Sequence, residues 1–171
     1  MKKRIILTLT FVSVAGWLIA QGNFVVPEVT PEQKQEVLYN HVIAYSTTGI
    51  SFAKSQGVTP ADYGKFIGKN FIPFWDPAGG LNAFANGMMF ILAGMHPDNG
   101  LQIVKQSDKM IVFQLKNVDM PFRQGPQYGV TLQEFLDFSS SLISVLAKHM
   151  NVSFSDEMTS DGWYKVTLKS K

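Results

Sequence analysis

The chain predicts an α+β fold: one antiparallel four-stranded sheet with four helices, in the order α-α-α-ββ-α-ββ. Two observations carry that prediction. Apolar residues recur at helical spacing from residue 30 to residue 94, and after Gly100 the period falls from 3.6 to 2. The same change from helix to alternating strands then happens again, so a helix followed by a hairpin occupies residues 81–116 and 131–169. Composition supplies the means. Of 171 residues, 46% are apolar and 16% charged, with 13 Phe and 8 Met. Such a chain can bury enough apolar surface to offset its ordering entropy.

The N-terminus reads as an address. Lys2, Lys3 and Arg4 precede an uncharged, mostly apolar run over residues 5–20, the layout of a secretory signal peptide. Cleavage after Ala20 suits the length of the run, and Ala15 offers an earlier small-residue exit. An uncleaved anchor is the alternative, although 16 residues fall short of the roughly 20 needed to span a bilayer. Residues 21–29, with Pro27, form an N-terminal arm, and residues 30–171 form the α+β domain. No membrane span is expected once the signal is removed.

Charge depends on that cleavage. The precursor holds 15 Lys+Arg against 13 Asp+Glu. Removal of residues 1–20 takes three cations and no acid, leaving twelve against thirteen. A mature chain near −1 with no basic stripe excludes nucleic-acid binding by counterion release. Cysteine is absent, which excludes a disulfide framework, a thiolate zinc site, a thiol nucleophile and lipidation at a cysteine.

Thr30-Pro31-Glu32-Gln33 starts the first helix, with Thr30 as N-cap and Gln33 closing a capping box. Leu38, Val42, Tyr45 and Phe52, flanked by Ile43 and Ile50, give its apolar spacing over 31–55, and Gly57 stops it. Thr59-Pro60-Ala61-Asp62 repeats the start signal. Tyr63, Phe66, Ile67, Phe71 and Phe74 mark one face of the second helix. Gly64 and Gly68 could let another backbone approach it, and Pro73 ends it. After a Pro/Gly-rich turn at residues 75–80, a third helix over 81–94 carries no charge. Such a helix is buried, lies in a membrane or faces a ligand cavity. Its 14 residues are too short to span a bilayer, so burial in the centre of the fold is expected.

Residues 96–100 form a loop. Residues 101–115 then read as a hairpin turning at Ser107-Asp108-Lys109, with Leu101 and Ile103 on one face and Gln102, Val104 and Gln106 on the other. Residues 117–130 are the longest loop, too apolar for a simple linker. Thr131 and Glu134 make another capping box ahead of a helix over 132–150, marked by Phe135, Phe138, Leu142 and Leu146. Two further alternating runs, around a turn at residues 159–162, complete a second hairpin.

The ending, a terminal helix, a strand, a Gly-containing turn and an aromatic strand over residues 135–168, resembles the small ligand-binding domains of the V4R and aminothiazoline-carboxylate hydrolase type. The hairpin at 101–115 fits in outline. The resemblance implies an α+β fold and a small-molecule pocket. It shares no catalytic or metal-binding signature. Members can carry cysteine near the last hairpin, whereas this chain has Tyr164 there and no cysteine.

The chemistry-bearing residues are sparse. The three histidines, His41, His96 and His149, lack zinc spacing, so neither a metal nor a cofactor is expected. His96 with Asp98 is the one candidate acid–base pair. Ser139-Ser140-Ser141 lies within a helix and lacks the exposed elbow of a nucleophile. The aromatic and Met cluster is more informative. Phe71, Phe74, Trp75, Phe84 and Met88 could form a deformable apolar pocket, with Phe122, Arg123 and Tyr128 of the long loop at its rim. A plain hydrophobic core explains the same residues. The expected function is an exported, non-enzymatic binder of a small, largely apolar ligand. A hydrolase using His96 and Asp98, or a protein-interaction module, is the alternative.

Overall fold

In the computed structural model, residues 28–95 and 99–171 are described. The signal segment, most of the arm, and the His96–Asp98 pair lie outside them. The element order is α1 (Pro31–Ser55), α2 (Pro60–Phe71), α3 (Gly80–Met95), β1 (Gln102–Ser107), β2 (Met110–Leu115), α4 (Leu132–His149), β3 (Val152–Met158) and β4 (Tyr164–Ser170). Four helices and one antiparallel four-stranded sheet make the fold α+β, in the order α-α-α-ββ-α-ββ.

The sheet runs β1-β2-β4-β3. Each hairpin pairs within itself, and β2 joins β4 from Met110↔Lys169 to Leu115↔Tyr164. The register aligns Ile111, Phe113 and Leu115 with Leu168, Val166 and Tyr164, and all six are buried. Strand β1 departs from the expected alternation. A bulge between Ile103 and Lys105 breaks the period of two, and all six of its residues are exposed.

Three helices start as the sequence dictates. Thr30 and Gln33 exchange hydrogen bonds at 2.9 and 3.3 Å, as do Thr131 and Glu134 at 2.8 and 3.3 Å. Thr59 accepts from Asp62 N at 3.1 Å. Lys54 bridges α1 to the α4 start, 2.5 Å from Glu134 and 2.8 Å from the Gly129 carbonyl. That lysine, then the Thr131 backbone, hold the Glu134 carboxyl below its ordinary value.

Helix α1 buries a different face from the one expected, and α2 does so in part. On α1 the inward residues are Tyr39, Ile43, Thr47, Ile50 and Ala53, while Leu38, Val42, Tyr45 and Phe52 are exposed. Thr47 tolerates full burial because its hydroxyl donates to Ile43 O at 2.7 Å. On α2 the glycines turn inward. A Cβ on Gly64 would sit 2.2 Å from Phe138 O, and one on Gly68 would sit 2.8 Å from Leu142 O. The α2 and α4 backbones are therefore in contact, as the two glycines suggested. Tyr63 and Ile67 pack against the smaller of the two apolar clusters, while Phe66, Phe71 and Phe74 are left outside.

Two apolar clusters result. The larger joins the sheet to Leu81, Phe84, Ala85 and Met88 of α3 and to Leu146 and Ala147 of α4. The smaller joins Tyr39, Ile43 and Ile50 of α1 to Phe135 and Phe138 of α4, with Phe122 and Val130 from the long loop. Helix α4 belongs to both, and Leu142 packs against each.

Candidate functional site

The seam between the two clusters is open. A cleft of about 520 Å³ lies there, within the roughly 300–1,000 Å³ of small-molecule sites. One wall comes from the smaller cluster, with Tyr39, Ile43, Phe135 and Phe138. Another comes from the larger, with Met88, Leu115, Leu146 and Tyr164. Val42, Phe71, Phe74 and Ile91 also line it and are 45–80% exposed, so its mouth is apolar as well. Apart from Tyr39 and Tyr164, the polar residues lining it are Asn99, Lys116, Asn117 and Ser139.

The four sequence candidates Phe71, Phe74, Trp75 and Met88 meet in this cleft. Phe71 and Phe74 pack edge to face, with centroids 6.4 Å apart. The Trp75 ring lies against Gly87, where a Cβ would come within 2.7 Å of it, and its carbonyl accepts from His149 Nε2 at 2.9 Å. His149 thus holds the loop between α2 and α3 rather than only finishing its own helix.

The other four lie elsewhere. Phe84 is fully buried in the core, edge-on to Trp75 at 5.2 Å, and supports the cleft from behind. Phe122 is buried in the smaller cluster. Arg123 is bound within its own loop, to Asp119 at 3.0 and 3.1 Å and Asn117 at 2.9 Å. It borders, with Phe122, a separate surface hollow of about 280 Å³. Tyr128 is exposed with φ of 51° and lines neither cavity. The start of the long loop, Asn117 and Val118, lines the cleft, while its far end closes on itself through the Gln127–Val130 bridge. Among the described residues no cluster of His, Asp or Glu could hold a metal. No described helix is long and apolar enough to cross a membrane.

Tyr164 of the wall belongs to a polar set the sequence did not reveal. Ser140 and Tyr164 both donate hydrogen bonds to Asp156 Oδ2, which ties α4 to β3 and β4. Asp156 falls on the sheet face shared with Val166 and Tyr164, so an acid sits where an apolar residue is expected. Asp156 is half-buried there, and its two hydroxyl partners offset the loss of water.

Burial, then the Asp156 charge, push the Tyr164 hydroxyl far above its ordinary value of 10.0. Tyr39 is raised by burial and by Asp119. A raised folded-state value means the unfolded chain loses its phenolic proton first. The stabilisation is therefore complete below about pH 10 and is lost as pH rises above it. We expect the melting temperature to fall steeply above pH 10, and Tyr164→Phe to flatten that fall. An unchanged alkaline slope in the variant would contradict it.

Comparison with protein-family models, with curated proteins and with solved structures returns no match to this chain.

Proposed function

We propose that this is an exported binding protein for a small, largely apolar ligand, held in the cleft between the two clusters and not chemically altered there. The observation that carries the reading is a cleft of ligand size with an apolar wall and an apolar mouth. Apolar surface left open at the centre of a fold is costly unless something covers it. Phe and Met side chains adapt to varied apolar shapes. The signal-like N-terminus supports export, and the resemblance of residues 135–168 to small ligand-binding domains points the same way.

Native mass spectrometry of the protein purified from its host tests this. A co-purified small molecule is expected, and the delipidated protein should brighten the neutral fluorophore N-phenyl-1-naphthylamine with saturation at one site. Protein that arrives empty and leaves the fluorophore dark would overturn the reading.

A further inference from the structure

The cleft has an electrostatic sign. Among the described residues, Lys116 is the one charged side chain in its wall, and no carboxylate lines it. Lys116 directly follows β2, and its backbone N–H donates to Asn99 O at 2.6 Å. That bond sets Lys116 and Asn117 beside Asn99, the three together forming the main polar stretch of the wall. The Lys116 Nζ lies 4.5 Å from the centroid of the Trp163 ring. Trp163 does not itself line the cleft, so its ring holds the ammonium at the cleft's border without neutralising it, and the hydrogen-bond donors stay usable. Among the described residues Lys116 forms no ion pair. The acid that feels its charge, Asp161, is bound to Thr159 within its own turn.

We infer that the cleft takes an amphiphile with one anionic headgroup, of the medium- or long-chain carboxylate class, its head at Lys116 and its tail among Phe71, Phe74 and Ile91. This rests on the cleft being a ligand site. A wall of hydrocarbon with one cation complements a molecule of hydrocarbon with one anion. A neutral hydrocarbon leaves that cation unused, and a cationic amphiphile is repelled by it. The head sits at an exposed residue, so the charge contributes selectivity while burial of the tail contributes most of the affinity.

The test is displacement of N-phenyl-1-naphthylamine from the delipidated protein by dodecanoate and by its uncharged methyl ester, each below its aggregation threshold. Dodecanoate should compete about fivefold better than the ester, and the margin should shrink with added salt. Lys116→Gln should abolish the margin and leave the ester unchanged, and Lys116→Arg should restore it. Equal competition by acid and ester, or a margin that survives Lys116→Gln, would overturn the inference and leave the cleft standing as a ligand site. Failure of the fluorophore and both competitors to bind would overturn the ligand site itself, and this inference with it.

Discussion

Gly64→Ala should cost about 3 kcal/mol of stability, the upper part of the range for overpacking a close contact. The added methyl would lie 2.2 Å from Phe138 O, 3.0 Å from Phe138 C and 3.2 Å from Leu142 N, all backbone atoms of α4. No side chain can swing away to make room, so the two helices must separate. Alanine's better helix propensity returns only about 1 kcal/mol of the loss. For a chain of this length the midpoint should fall by roughly 6–12 °C. Gly94→Ala is the control, because nothing lies within 4 Å of a Cβ there. The same substitution in that helix should be neutral or slightly stabilising. Thermal melts of both variants decide the matter, and a Gly64→Ala protein as stable as the parent would refute the backbone contact.

The helices show why the fold class was readable while the buried faces were readable only in part. Caps, breakers and the change of period are local, so element types and order follow from neighbouring residues alone. Helix α1 carries two apolar stripes. The one through Leu38, Val42, Tyr45 and Phe52 is the more conspicuous, and it faces outward. The buried stripe includes Thr47, whose local hydrogen bond to Ile43 O hides its polarity. Helix α2 was legible in part: its glycines Gly64 and Gly68 signalled the backbone contact with α4, and Tyr63 and Ile67 of its apolar face pack inward, but Phe66 and Phe71 of that face do not. Which stripe of α1 is buried is decided by the partner surface, and a single helix cannot display it.

The cleft follows the same division. Phe71, Phe74, Trp75 and Met88 were legible because they fall close together in sequence, around one loop. Leu115, Lys116 and Tyr164 were not. They meet Tyr39 and Phe138 only after β2 pairs with β4 and α4 crosses both clusters. The loop aromatics misled for a related reason. Phe122 is apolar because it fills the smaller cluster, and Arg123 is charged because Asp119 stands four residues before it, holding it with two hydrogen bonds.

Two phenylalanines ten residues apart separate core from cleft. Phe84 is 0% exposed, surrounded by the larger cluster, and Phe74 is 80% exposed at the cleft mouth. Phe84→Ala should cost about 3–5 kcal/mol, because the lost burial is compounded by a cavity that the close-packed sheet and α4 cannot fill. That would lower the midpoint by roughly 6–20 °C and unseat Trp75, whose ring rests on Phe84. Phe74→Ala removes a side chain already in water, so stability should change by about 0.5 kcal/mol or less. Its effect should appear in binding instead. Loss of one aromatic wall should weaken N-phenyl-1-naphthylamine severalfold, on the scale of about 0.5–1.5 kcal/mol for an aromatic contact. Chemical denaturation beside fluorophore titration reads both quantities on the same samples. If Phe74→Ala binds as well as the parent, the mouth is not part of the site. If Phe84→Ala melts with the parent, the core assigned to α3 is wrong. Only a fold that uses Phe for two purposes gives opposite results from the same substitution.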